Sequence, residues 1–116
     1  GGWTDSAYFS LVARDPYKRQ AFASNVLAFI TNNGFDGVDL DWECGGDPSN
    51  AVDPNDAENF LELLKSLRNR LGNRLITMAA SANPGTYKNL LPQYAQILNW
   101  INVMTYDMCG GWSGEL

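Results

Sequence analysis

Between Asp36 and Glu43 apolar and acidic residues alternate: Val38, Leu40 and Trp42 fall on one parity, Asp39, Asp41 and Glu43 on the other. Successive side chains of a strand point to opposite faces, so this period of two predicts a strand with one apolar and one acidic face. The flanking segments follow the helical period instead. Phe22, Val26, Phe29 and Ile30 form an apolar stripe that begins at Asp15-Pro16, an N-cap side chain followed by proline at the first helical position, and stops at Asn32-Asn33-Gly34. Ala57, Phe60, Leu61, Leu64, Leu67 and Leu71 form a second stripe. It starts at Asp53-Pro54-x-Asp56, with an acid in the first turn where the helix dipole favours it, and closes at Gly72. Lys65, Arg68 and Arg70 complement the dipole near its end and read as a solvated face. Leu75 to Ser81 predicts a short apolar strand ending in small residues. A weaker helix is expected from Tyr87 to Leu98, interrupted by Pro92. Trp100 to Asp107 predicts a last strand with Asn102, Met104 and Tyr106 on one face, and a buried tyrosine hydroxyl next to Asp107 at its end.

Strands alternating with helices mean an α/β protein, a parallel sheet joined by right-handed crossovers. A strand in such a sheet is covered on both faces, and a row of carboxylates there is costly because like charges in a low dielectric cannot all ionise cheaply. The row persists if its members share protons, bind a cation or perform chemistry. Two other readings stay open. One is a solvated face on an open antiparallel sheet. The other is a Mg or Ca site, which three oxygen ligands would suit, although a strand rising ~3.3 Å per residue spaces them roughly 7 Å apart, too far to close around one ion.

Composition narrows the chemistry. With 116 residues the chain makes one small domain with a modest core, and no internal boundary or linker is visible. The net charge of −5 argues against nucleic acid or an anionic membrane as partner. No apolar run of about eighteen residues exists, so no membrane span is expected. No charged region followed by an apolar core opens the chain, so no signal peptide is read in it. There is no histidine, which removes a Ser-His-Asp triad, a Cys-His pair and the usual zinc sites. Acid–base work then falls to carboxylates, tyrosine or lysine. Cys44 and Cys109 could pair or stay as thiols, and define no compartment.

Asp36-x-x-Asp39-x-Asp41-x-Glu43, within Gly34-Phe35-Asp36-Gly37-Val38-Asp39-Leu40-Asp41-Trp42-Glu43, resembles the active-site strand of glycoside hydrolase family 18, the chitinases. Gly1-Gly2-Trp3 is similar to the end of the motif closing the family's third barrel strand, and Thr4 to Ser10 to the loop after it. Asn102-Val103-Met104-Thr105-Tyr106-Asp107 resembles the sixth-strand motif, and Gly111-Trp112 the glycine–aromatic step that follows. Cys44 departs from the pattern, because family members usually carry an aromatic directly after the catalytic glutamate. The resemblance implies a (β/α)8 TIM barrel of which residues 1–116 cover roughly strands 3 to 6, as part of a single catalytic domain. Such a barrel needs roughly 250 residues and builds its site at the C-terminal ends of its strands. Part of a barrel alone would leave open sheet edges and an exposed apolar face.

The resemblance further implies hydrolysis of β-1,4-linked N-acetylglucosamine polymers, chitin and chitooligosaccharides, with retention of configuration and no cofactor or metal. Glu43 would protonate the leaving glycosidic oxygen, a task that near neutral pH suits a carboxylic acid hemmed in by like charges and burial. The nucleophile is the substrate's own 2-acetamido oxygen. Asp41 would bond the acetamido N–H, Asp39 would share a proton with Asp41, Tyr106 would bond the acetamido carbonyl, and Asp107 would sit near Glu43 and the sugar. Asp36 is expected to hold the start of the strand. Trp3, Met104 and Trp112 are candidate substrate-binding residues, the two indoles as stacking platforms or as rim packing, while Trp42 is expected to pack beneath the helices. Secretion is implied by the same resemblance. An endo-β-N-acetylglucosaminidase acting on N-glycans, or a non-catalytic chitinase-like lectin or inactive fragment, are the alternatives.

Overall fold

The computed structural model describes residues 6, 8–43, 53–87, 89–106, 109–110 and 113–114. In chain order the elements are α1 (Phe9–Ala13), α2 (Pro16–Asn32), β1 (Gly37–Leu40), α3 (Asp56–Leu71), β2 (Leu75–Ser81), a 3-10 turn (Pro84–Tyr87), α4 (Leu91–Ala95) and β3 (Trp100–Met104). The three strands form a parallel sheet in the order β1-β2-β3. Asp39 pairs with Thr77 and Thr77 with Trp100, while Ala79 pairs with Asn102 and Ser81 with Met104. One face therefore carries Asp39, Thr77, Ala79, Ser81, Asn102 and Met104. The other carries Leu40, Ile76, Met78 and Ala80, all buried in one core with Phe60, Leu63, Leu64 and Leu67 of α3. Hydrophobic burial on the helix side thus decides which way the acidic parity points. Gly37 belongs at the start of β1 for a steric reason: a Cβ there would lie 2.1 Å from the Leu75 carbonyl oxygen.

The expected start of α2 is present in detail. The Asp15 carboxylate accepts the backbone N–H groups of Tyr17 at 2.9 Å and Lys18 at 3.2 Å, with Pro16 opening the helix. At its end Gly34 takes φ +70°, the left-handed conformation glycine tolerates. Phe35 N–H then reaches back to the Ile30 carbonyl at 2.8 Å and Gly34 N–H to that of Thr31 at 3.4 Å, a Schellman stop. Phe29 departs from the expected stripe. It is 61% exposed and packs its ring 5.8 Å from that of Phe35, the apolar contact that accompanies this kind of helix end.

Other expectations are corrected. Phe9 and Ser10, expected at the end of a loop, instead open the helix Phe9–Ala13; it has no side-chain cap and is held by packing, since Phe9 stacks on Trp42 and Ser10 is tied to α3. The side chain of Asp53 does not cap α3. It accepts the Asn55 N–H at 2.9 Å in the preceding turn, and Asp56 opens the helix. The Asp56 carboxylate is buried, accepting the Ser10 hydroxyl at 2.8 Å and the Asp53 N–H at 3.1 Å. Burial pushes its pKa up, partly offset by those two hydrogen bonds and by the nearby Arg14, with the Asp53 charge adding to the rise. Pro92 does not interrupt a helix. It sits in the first turn of the short α4, where a proline N–H is not needed, and a 3-10 turn precedes it.

Arg68 is not a solvated charge either. Half-buried, it donates through Nε and Nη2 to the Ile97 carbonyl at 3.1 and 2.7 Å, and through Nη2 to Asn99 Oδ1 at 2.9 Å. Nη1 donates to the carbonyls of Gly72 at 2.8 Å and Arg74 at 2.7 Å. Asn99 Oδ1 also accepts the Ile76 N–H at 2.9 Å, so one planar guanidinium binds the end of α3 to the starts of β2 and β3. Arg68→Met in the whole polypeptide is expected to lower unfolding stability by about 2–4 kcal/mol, because several carbonyls lose their donor at once. Arg68→Lys should recover little, as an ammonium lacks the fork. Chemical denaturation of both variants checks this; a loss under about 0.5 kcal/mol, typical of an ordinary surface position, would show the clamp to be idle.

Candidate active site

The acidic face is oriented by what lies behind it. Trp42 is 3% exposed and stacks on Phe9, with centroids 5.4 Å apart and planes at 11°. Its edge contact with Phe60 is at 5.1 Å, and the row continues from Phe60 to Tyr94 at 5.4 Å and from Tyr94 to Tyr87 at 5.9 Å. Both tyrosine hydroxyls are used: Tyr94 donates to the Ala57 carbonyl at 2.6 Å, and Tyr87 accepts the Ser81 N–H at 2.7 Å at the end of β2. Edge-to-face aromatic pairs contribute beyond their buried area. This row therefore pins the chain on the helix side at Trp42. Asp41 and Glu43, its two neighbours in sequence, follow directly after β1 and are half-buried. The expectation for Trp42 as packing beneath the helices holds.

On the acidic face, Asp39 Oδ1 accepts a short hydrogen bond from the Thr77 hydroxyl and a longer one, 3.4 Å, from Asn102 Nδ2. Donors from β2 and β3 thus converge on one oxygen of β1. Asp41 is half-buried, and its Oδ1 is fully covered yet has no hydrogen-bond partner among the described residues. Glu43 is half-buried at the end of the same segment. A covered carboxylate oxygen without a donor is unfavourable, and such groups in native structures call for an explanation. Asp36 is exposed at the head of β1, where its backbone carbonyl accepts the Leu75 N–H at 3.1 Å.

The sheet brings Met104 to the same face, half-buried at the end of β3. Tyr106 follows β3 and is 63% exposed, so the expectation of a buried hydroxyl is corrected. It stands two residues past Met104, the last paired residue of β3. Trp3, Cys44, Asp107, Gly111 and Trp112 lie outside the described residues. The Cys109 thiol is free and exposed. Thr77 and Asn102 were not expected as site residues. Parity had put Asn102 on the face of Tyr106, but no local signal sets Thr77 opposite Asp39, since that follows from strand register.

Among the described residues no three His, Cys, Asp or Glu side chains are grouped to hold a metal ion, and no helix is long and apolar enough to cross a membrane. The arrangement can do carboxylate chemistry: one acid held by two neutral donors, one with a covered oxygen that has no partner among the described residues, and one half-buried just beyond them in the chain.

Comparison with known proteins places this geometry in a family. The family model for "Glycosyl hydrolases family 18" matches residues 1–116. Chitinase A1 of Niallia circulans is 40% identical over 97% of this chain, which corresponds to 18% of that protein. Chitinase ChiA74 from Bacillus thuringiensis superposes with a TM-score of 0.90 at 43% identity, covering 97% of this chain and 20% of that one. The Ostrinia furnacalis Group IV chitinase, solved in complex with allosamidin, gives a TM-score of 0.87 at 39% identity, covering 97% and 31%. The chain thus spans less than a third of the length of each of these relatives. With its acidic strand on the open face of a parallel α/β sheet and a family match along its full length, this chain belongs to glycosyl hydrolase family 18.

Proposed function

We propose that this chain is part of a single catalytic domain, a (β/α)8 barrel in which it supplies about strands 3 to 6, and that the whole protein hydrolyses β-1,4-linked N-acetylglucosamine polymers outside the cell. The observation that carries the reading is Asp41, whose covered Oδ1 has no hydrogen-bond partner among the described residues and which stands between Asp39 and Glu43 in the acidic row. A turn of the Asp41 side chain that uncovers a carboxylate oxygen would let it accept a donor arriving with the substrate, and the N–H of a 2-acetamido group is such a donor. Support also comes from relatives described as chitinases, one in complex with allosamidin.

In this mechanism Asp41 accepts the acetamido N–H and turns the acetamido oxygen toward the anomeric carbon. That oxygen attacks C1 as Glu43 protonates the departing glycosidic oxygen, and the C1–O bond to the leaving sugar breaks. The resulting ring is an oxazolinium ion. Its positive charge is balanced by Asp41, and Asp39 exchanges a proton with Asp41 as the charge develops and decays. Glu43, now a carboxylate, takes a proton from water, which opens the ring from the face the leaving group vacated. Two displacements on C1 retain its configuration. Tyr106 bonds the acetamido carbonyl oxygen, and Asp107 acts beside Glu43. Met104, Trp3 and Trp112 contact the sugar rings, the indoles by stacking on their apolar faces. No metal or cofactor takes part, and neither nucleic acid nor a membrane is a partner.

Product analysis tests the reading with the full-length protein. Incubation with chitooligosaccharides should release shorter chitooligosaccharides whose new reducing ends are initially β. Release of intact glycans from a glycoprotein, with chitooligosaccharides untouched, would replace the reading by the endo-β-N-acetylglucosaminidase. Binding without any product would make it a lectin.

A further inference from the structure

We propose that Thr77 and Asn102 are positioning residues that set the orientation of Asp39. The proposal deepens the mechanism above and rests on it. Both residues reach the same oxygen: the Thr77 hydroxyl donates to Asp39 Oδ1, and so does Asn102 Nδ2 at 3.4 Å. Thr77 is 6% exposed, and a buried hydroxyl that donates to a carboxylate gives up its one proton to that bond. Neither donor belongs to the strand of the acidic row. Thr77 comes opposite Asp39 by the β1–β2 register, and Asn102 stands on β3, paired with Ala79, one face-step further along.

The consequence is directional. With Oδ1 held by two donors from neighbouring strands, Oδ2 is the oxygen left for a proton exchanged with Asp41. A carboxylate on a single strand can rotate about its side-chain torsions; one anchored from two further strands is fixed to the sheet as a unit. Thr77 matters more than Asn102, because its bond is the more buried, while that of Asn102 is long and exposed. Exchange of a proton between two carboxyl groups depends steeply on their mutual geometry, so a loosened Asp39 slows turnover without removing any group that contacts sugar.

The experiment compares Thr77→Val, which keeps the shape and deletes the hydroxyl, with Thr77→Ser, which keeps the hydroxyl and deletes the methyl, in the full-length protein. Steady-state hydrolysis of a chitooligosaccharide and thermal denaturation are measured for each. Thr77→Val is expected to lower kcat about tenfold or more, the effect of one lost hydrogen bond to a charged group, with KM within about twofold. Thr77→Ser is expected to keep kcat within about threefold of wild type, although it leaves the larger packing defect. Asn102→Ala should lower kcat by less than Thr77→Val. Equal kcat for Thr77→Val and wild type overturns the inference, as does a Ser variant as slow as the Val variant or a loss confined to KM. A wild type that cleaves no chitooligosaccharide overturns the functional reading and this inference together, and so is told apart from failure of the inference alone.

Discussion

Glu43→Gln in the full-length protein is expected to lower kcat on chitooligosaccharides by about 10²–10⁴, the usual contribution of a positioned general acid, with the thermal midpoint nearly unchanged. Glutamine matches glutamate in shape, and Glu43 stands at the half-buried end of the acidic segment, beyond the last paired residue of β1. The aromatic packing that orients this segment belongs to Trp42, which the substitution leaves in place. What is lost is the proton for the leaving oxygen. A leaving group that is already acidic needs little protonation, so the variant should recover a larger share of wild-type activity on an aryl glycoside with a good leaving group. Near-wild-type turnover on unactivated chitooligosaccharides would move the acid role to another residue.

A second large effect is expected from the substrate rather than the protein. An oligosaccharide matched in length and linkage, with glucosyl in place of N-acetylglucosaminyl units, should be cleaved at least about 10³ more slowly. An intramolecular nucleophile is worth effective molarities on the order of 10⁵ M or more, and here that nucleophile is the acetamido oxygen. Asp41 adds to the discrimination, since a substrate without the N–H offers its carboxylate no donor. Competition between the two substrates in one reaction reads the ratio of kcat/KM directly. Comparable cleavage of the glucosyl chain would rule out acetamido participation and require a nucleophile from the protein.

Much of this was legible along the chain because the signals are local. The cap Asp15-Pro16, the stop at Gly34 and the apolar stripe of α3 each depend on residues within a turn or two of one another, and the structure shows them as expected. Leu75–Ser81 is a strand over the expected residues. The period of two from Val38 to Glu43 separates core from acid because Leu40 and Trp42 have a core to enter. Short elements were harder to read. The helix Phe9–Ala13 has neither cap nor length to announce it, and Pro92 read as an interruption because its helix is too short to show a period.

Other features came only from the tertiary structure, since they depend on residues far apart in the chain. Arg68 looks like one of several charges at a helix end, yet the groups it joins lie 29 and 31 residues away. Asp56 resembles a first-turn acid, and its partner Ser10 is 46 residues distant. Parity alone could give Tyr106 a face but not a cover, and its side chain is 63% exposed. The sequence by itself determined that acidic and apolar residues alternate from Val38 to Glu43, which puts Asp39 on the face of β1 away from Leu40, with Asp41 and Glu43 following just past the strand's end. Which donors meet Asp39 was decided by strand register, and register is specified where one face of the sheet is buried under the helices. Thr77 therefore reaches Asp39 only once the core behind them has closed.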